Sequence, residues 1–247
     1  MSEAVTYASQ DRIATITINR PEAMNALNEA VVQGLHAAFL RLRDGEDRCA
    51  ILNAAGERAF SVGADLKDPP AELWQGVPGI GVDLDKPIIA ALKGYCIGGA
   101  YVIVQNCDLV VAADTTVFIY PEAQVGFTGG LIAGAAARIP HKIAMEFMLL
   151  GQRISAQRAY EVGMVNKLTA VGEEVAGAMA YAQILAASAP MVVRTLKRFV
   201  NGTVVAKSPS ELSAVCRRGL LAIRESEDGA EGRRAFAQKR KPRFVGR

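Results

Sequence analysis

Two glycines stand between a pair of apolar runs. Ile88 to Leu92 leads through Lys93-Gly94-Tyr95-Cys96-Ile97 into Gly98 and Gly99, and Ala100 to Val104 leads away. The first run reads as a buried strand and the second as a helix. Amide N–H groups in a first helical turn have no internal acceptors and carry partial positive charge. Glycine also lets another molecule come close to the main chain. The chemistry expected at Gly99 is therefore stabilisation of a developing negative charge. A second segment repeats the form: Cys49-Ala50-Ile51-Leu52 reads as a strand, and after a turn come Phe60-Ser61-Val62-Gly63-Ala64-Asp65-Leu66. One such turn alone is ordinary architecture. Two of them, offering the N–H groups of Ala64 and Gly99 to one oxygen, supply what an oxyanion hole requires.

The elements that must hold these turns follow from pattern. Ile13 to Ile18 is rich in β-branched residues and follows the turn pair Asp11-Arg12, which predicts a strand in a hairpin with Val5-Thr6-Tyr7. Asn28 is a good N-cap for a helix carrying Val31, Leu35, Phe39 and Leu42, ended by Gly45. Strand 49–53 and a helix from Ala64 form the next unit, and the Gly- and Pro-rich region 68–81 reads as a mobile flap. Strands at 87–92, 108–113 and 117–120 follow, then a tight loop at Gly126, Gly129 and Gly130 and a helix from Leu131 to Arg138. Beyond His141 strand signals fade. Helices are expected at 141–150, at 156–162 behind a Ser155 N-cap, and at 173–188, 190–200, 208–226 and 229–240.

At 247 residues, half of them apolar, the chain suits one large domain, or one domain with a small helical appendage. No apolar run is long enough to span a membrane, and the N-terminus from Met1 to Val5 lacks a signal-like apolar core. Four cysteines without paired spacing fit reduced thiols, so a cytoplasmic location is expected. The net charge is only +3, but Arg233, Arg234, Lys239, Arg240, Lys241, Arg243 and Arg247 gather in a tail free of acids. Such a run serves a solvated helix end, a nucleic-acid patch or a phosphorylated ligand. With Phe236 and Phe244 as its only aromatics, nucleic acid ranks low. Neither a metal-ligand cluster nor a phosphate-binding Gly-x-x-x-x-Gly-Lys loop is visible.

Several of these stretches resemble the crotonase, or enoyl-CoA hydratase/isomerase, superfamily. The carriers are Asn19-Arg20-Pro21 with Asn25-Ala26-Leu27; Phe60 to Lys67; Lys93 to Gly99; Ser155-Ala156 with Gly163-Met164-Val165-Asn166; and Ala235-Phe236 with Lys239-Arg240-Lys241-Pro242 and Phe244. The resemblance covers nearly the whole chain. It implies an α/β spiral of β/β/α repeats over residues 1–190, bearing the CoA and catalytic site. A helical region, 191–247, would complete the CoA site and mediate assembly into a homotrimer or a dimer of trimers. The ligand implied is an acyl-CoA thioester, with no tightly bound cofactor and coenzyme A present only as part of the substrate. Its carbonyl oxygen would meet the N–H groups of Ala64 and Gly99. Met24, Ala26, Ala64, Asp65 and Leu66 would line the adenine and pantetheine channel. Lys67 and the basic tail would face the CoA phosphates, and Gly130, Phe236 and Lys239 complete the implied contacts. Where the family often carries a lysine two positions before Met24, this chain has Glu22.

Read by itself, Glu122 is a loop carboxylate after Pro121. In the family a glutamate at this place moves protons on the acyl chain, which makes Glu122 the candidate acid/base. Val102, one helical turn beyond Gly99, departs from the hydratases, which usually have a second glutamate there. Single-base chemistry follows, and it leaves enoyl-CoA hydration and double-bond isomerisation both open. A water held by Glu122 and one of Tyr101, Gln105, Tyr120 or Thr128 would still serve hydration. Thioester or C–C hydrolysis on the same fold is an alternative, and non-catalytic CoA or RNA binding is the alternative from another class. His36 reads as solvated, His141 as a surface or capping residue, Cys96 and Cys107 as small core residues, and Asp108 and Asp114 as structural acceptors.

Overall fold

The computed structural model describes residues 3–247. Met1 and Ser2, the first residues of the segment read as lacking a signal, lie outside the described residues. The strands are Val5–Gln10 (β1), Ile13–Ile18 (β2), Cys49–Ala54 (β3), Ala59–Ser61 (β4), Ile88–Leu92 (β5), Tyr95–Ile97 (β6), Leu109–Ala113 (β7), Val117–Ile119 (β8), Ile154–Ser155 (β9) and Lys167–Thr169 (β10). The α-helices are Glu29–Asp44 (α1), Gly99–Val104 (α2), Glu122–Val125 (α3), His141–Leu150 (α4), Ala156–Glu161 (α5), Glu174–Ala187 (α6), Pro190–Phe199 (α7), Pro209–Glu225 (α8) and Glu227–Ala237 (α9).

Two mixed sheets carry the fold. A six-stranded sheet has the order β1-β2-β3-β5-β7-β10, antiparallel only between β1 and β2. A four-stranded sheet has the order β4-β6-β8-β9, antiparallel only between β8 and β9. Successive strand pairs β3/β4, β5/β6 and β7/β8 thus place their first member in the large sheet and their second in the small one. The inner strands of the large sheet are covered on both faces, so they read as continuous apolar runs rather than alternating ones. Every residue of β5 is buried. One face packs on Ala178 and Ala182 of α6, and the other on the main core around α1, α2 and the 3₁₀ segment Leu131–Ala137.

The hairpin forms as predicted but runs on to Gln10, because Asp11 and Arg12 both adopt positive φ, the conformation of a two-residue hairpin turn. Asn28 caps α1 by accepting from Val31 N, and Gly45 closes it with extended backbone. Four expectations are corrected. No helix starts at Ala64: the chain instead lies beside residues 24–27, with Leu27 N donating to Gly63 O and Asp65 N to Leu27 O. The 68–81 region is no solvent-borne flap, for Trp74, Val77 and Ile80 are buried against the core. Two short strands, β9 and β10, occur where only helices were expected. His36 is not simply solvated: its Nδ1 lies 3.2 Å from Gln75 O.

One link between the C-terminal helices and the core is an ion pair with a fully buried carboxylate. Glu211 is fully buried in the first turn of α8, where its Oε2 accepts from Ser208 N (2.7 Å), and its Oε1 lies 2.9 Å from Arg138 Nη2. Gly134 leaves room for both, since a side-chain carbon there would lie 2.6 Å from Glu211 Oε1. Glu211→Ala removes this pair and the bond from Ser208 N, while Arg138 keeps Gly134 O and Asn106 Oδ1, and is expected to lower stability by about 2–3 kcal/mol, read from urea unfolding midpoints. Among the described residues no single helix is long and apolar enough to cross a membrane, and no three metal-ligating side chains come together.

Candidate active site

The site is assembled from three turns that are distant in sequence. The first is 20–27. Asn25, buried and at positive φ, accepts from Arg20 N through Oδ1 and donates through Nδ2 to Ala55 O (2.8 Å) and Ala59 O (2.9 Å). Asparagine tolerates this left-handed conformation better than most residues. Arg20 Nη1 then bridges outward, donating to Ala26 O at 2.7 Å and to Asp65 Oδ2 at 3.1 Å. That ion pair fastens the first turn to the second, 62–67. Asp65 also accepts from Lys67 N, and this main-chain bond together with Arg20 holds its carboxyl below the usual range.

The second and third turns meet at Gly63 and Gly99. Gly63 has φ +87°, and a side-chain carbon there would lie 2.7 Å from Ile97 O and 3.2 Å from the Gly99 nitrogen. Any other residue would force the turns apart. A side-chain carbon on Gly99 would in turn lie 3.7 Å from the Ala64 nitrogen. The two amides therefore share one small region. Gly98 N is engaged by Ile119 O, and Tyr101 N and Val102 N by Gly98 O. Among the described residues, the N–H groups of Ala64 and Gly99 have no hydrogen-bond partner. Two unpaired main-chain donors brought together from separate turns, one of them at the start of α2, suit an anionic ligand atom.

Glu122 opens the single turn α3, directly after Pro121 at the end of β8. Its carboxylate lies on the face of Gly98: a side-chain carbon there would meet Oε1 at 2.6 Å. Gly98 has φ +56° and ψ −121°, so its glycine identity serves both the turn and the carboxylate's seat. Oε2 is buried and without a hydrogen-bond partner. Burial, opposed by the residue's own backbone N–H, pushes this carboxyl up to about 7. A carboxyl poised near neutral pH beside unpaired donors is equipped to take and return a proton. Near it, Tyr120 Oη and Thr128 Oγ1 are 3.0 Å apart. Tyr101 is packed edge-on against Phe118 and Phe147, and Gln105 Nε2 donates to Leu131 O, so both serve the core. Val102 is buried and offers no proton-transfer group.

The model for the enoyl-CoA hydratase/isomerase family matches residues 8–247. The chain belongs to the enoyl-CoA hydratase/isomerase family. It is 34% identical over 269 residues to the carnitinyl-CoA dehydratase of Proteus mirabilis, with all of both chains covered. The crystal structure of carnitinyl-CoA hydratase from Mycobacterium avium superposes with a TM-score of 0.77 at 31% identity, and that of enoyl-CoA hydratase from Mycobacterium tuberculosis with 0.75 at 35%; each covers 100% of both chains. The α/β fold with its two mixed sheets is the crotonase fold.

Within this hydratase/isomerase scaffold, Met24 and Ala26 lie on one turn and Ala64, Asp65 and Leu66 on the next, and the Arg20–Asp65 pair and the bridge between Leu27 and Ala64 fasten the two turns together. Leu66 is 91% exposed, and Lys67 is exposed beside it. Gly130 is less open than its sequence suggests. Its N–H donates to Thr128 Oγ1, and Ser210 of α8 covers the place its side chain would take, at 2.3 Å. Phe236 (88% exposed) and Lys239 lie at the end of α9, which packs on α8, and neither is brought to Ala64, Gly99 or Glu122. The tail is not free of acids in space. Glu231 receives Arg240 in two bonds and Arg243 N in a third, which draw its carboxyl down to about 2. Asp228 accepts from Val245 N and Gly246 N, and Arg247 donates to Glu227. The seat that Gly98 provides and the Arg20 bridge are features that sequence reading did not find. An ion pair or a carboxylate seat leaves no mark in local periodicity.

Proposed function

We propose that the protein is an acyl-CoA lyase that adds water to, or eliminates it to form, the α,β double bond of an enoyl-CoA thioester, using one carboxylate. The observation that carries this reading is the seat of Glu122: a buried, unpartnered carboxylate oxygen on the face of Gly98, one residue from the unpaired N–H of Gly99. The thioester oxygen would accept from Ala64 and Gly99, so that charge moving onto it as the α-proton leaves is met by fixed donors. In elimination, Glu122 takes the α-proton, the C–H electron pair forms the double bond, the β-carbon–oxygen bond breaks, and the departing hydroxyl leaves as water with the proton from Glu122. Hydration is the reverse, with Glu122 deprotonating water and protonating the α-carbon. Val102 cannot share this work. The dehydratase and hydratase names of relatives about 35% identical support water chemistry over isomerisation.

Met24, Ala26, Ala64, Asp65 and Leu66 would hold the CoA portion, with Lys67 near its phosphates. Phe236, Lys239 and Gly130 would contribute only with a rearrangement of the C-terminal helices or from a second subunit. The exposed apolar side chains of Met191, Leu196, Phe199 and Val204 favour assembly of the C-terminal region into a homotrimer or a dimer of trimers.

Purified protein offered 2-enoyl-CoA should remove the absorbance of the conjugated thioester. If 3-enoyl-CoA instead gains that absorbance while 2-enoyl-CoA is untouched, the enzyme is an isomerase. Both directions of the water reaction begin with ionised Glu122. Its raised pKa therefore places an acidic limb in kcat/KM near pH 7, below which the rate falls about tenfold per pH unit. A pH profile of 2-enoyl-CoA hydration checks this: a limb near pH 4.5 would show that burial does not raise the carboxyl, and a limb that survives in Glu122→Gln would show that another group titrates.

A further inference from the structure

The segment carrying Leu73 is tied down from two sides. Towards α1, Gln33 Nε2 donates to Gln75 Oε1 (2.7 Å), and Gly76 lies so close to Val32 that a side-chain carbon would meet its Cα at 3.3 Å. Towards α8, two consecutive arginines reach across. Arg217 pairs with the Glu72 carboxylate, and its guanidinium carbon stands 5.7 Å from the centre of the Trp74 ring. Arg218 Nη1 donates to Gly79 O and to Ile80 O (2.8 Å). Glu72 closes the arrangement by accepting from Trp74 Nε1 at 2.7 Å. Leu73 sits between these two fixed residues. Its Cδ2 is the atom nearest the place where Gly99 lacks a side chain, at 2.9 Å.

We propose that Leu73 limits the bulk of the acyl group accepted beside Gly99, and that Arg217, acting through Glu72 and Trp74, is the positioning residue that keeps it there. The proposal rests on the acyl-CoA reading above. The turns at 24–27 and 64–66 present main-chain polar groups that suit the CoA portion. Leu73 presents only methyl groups, backed by buried Trp74, Val77 and Ile80, and suits hydrocarbon. The Glu72 and Arg217 side chains are 31% and 51% exposed, so their pair contributes little to global stability. Yet it fixes the residues on either side of Leu73, which separates positioning from folding.

The test compares wild type, Leu73→Ala, Arg217→Gln and Arg217→Lys on trans-2-butenoyl-CoA and trans-2-octenoyl-CoA, alongside calorimetric titration with the unreactive butyryl- and octanoyl-CoA. Leu73→Ala should raise the octenoyl-to-butenoyl ratio of kcat/KM by at least about tenfold, the order set by a few methylenes in an apolar pocket. Arg217→Gln should move the ratio the same way by severalfold with the melting temperature unchanged, and Arg217→Lys should restore it. Ratios unmoved by Leu73→Ala overturn the role of Leu73. A ratio moved by Leu73→Ala but not by Arg217→Gln overturns the role of Arg217. If the titrations show the shift in chain-length preference but no enoyl-CoA is turned over, the assignment of Leu73 stands and the hydration chemistry falls. If no acyl-CoA binds, both fall.

Discussion

Glu122→Gln is expected to lower kcat by ~10²–10⁴ while acyl-CoA affinity stays within a fewfold of wild type. The amide keeps the size and shape of the carboxyl, so the seat against Gly98 is retained, but it cannot accept the α-proton. Stability should not suffer. The folded protein holds this carboxyl at about 7, above the ordinary 4.5, so above pH 7 the fold carries the cost of a buried ionised group. Glutamine removes that cost, and the variant should melt higher than wild type at pH 8, with the difference shrinking as pH falls through 7 and vanishing only below the unfolded value of 4.5, where the carboxyl is protonated in both folded and unfolded chains. Steady-state kinetics and melting curves on the same preparation separate the two effects. A variant retaining more than a tenth of the wild-type kcat would exclude Glu122 as the base.

Gly99→Pro should cost about 10²–10³ in kcat, equivalent to ~3–4 kcal/mol of lost transition-state stabilisation. Gly99 is the first residue of α2, a position where proline is favoured and where no internal hydrogen bond is forfeited. The ring replaces the N–H with carbon at the point where oxygen would bind. The control is Gly99→Ala, which introduces the same side-chain carbon against Leu73 Cδ2 but keeps the N–H. Because the obstructing atom is the end of a flexible side chain, the alanine variant should stay within about tenfold of wild type. Equal losses in the alanine and proline variants would trace the defect to crowding and remove Gly99 from the oxyanion hole.

The features legible in sequence were those encoded locally. Apolar runs such as Ile88 to Leu92, the N-caps at Asn28 and Ser155, and the glycine turns before Ala64 and Ala100 all announce themselves within a few residues. Their order along the chain was enough to identify the family. Features set by distant partners were not legible. Strands β4, β6, β8 and β9 hold two or three residues each, too few for an alternating pattern, so the second sheet was seen only in part. The helix expected at Ala64 lost to hydrogen bonds with residues nearly forty positions earlier. Glycine and proline between 68 and 81 report where the chain turns, not whether Trp74, Val77 and Ile80 find a core. The basic tail looked unpaired because Glu227, Asp228 and Glu231 fall just outside the stretch over which charge was weighed.

Proton exchange isolates the catalytic step from the identity of the acyl chain. Butyryl-CoA, which has no double bond to hydrate, can be incubated with enzyme in deuterium oxide and followed by proton magnetic resonance. Two donors on the thioester oxygen and one carboxylate at the α-carbon predict replacement of a single α-hydrogen by deuterium, abolished in Glu122→Gln and strongly slowed in Gly99→Pro. Bound butyryl-CoA that keeps both α-hydrogens, or exchange that persists undiminished in Glu122→Gln, would contradict it.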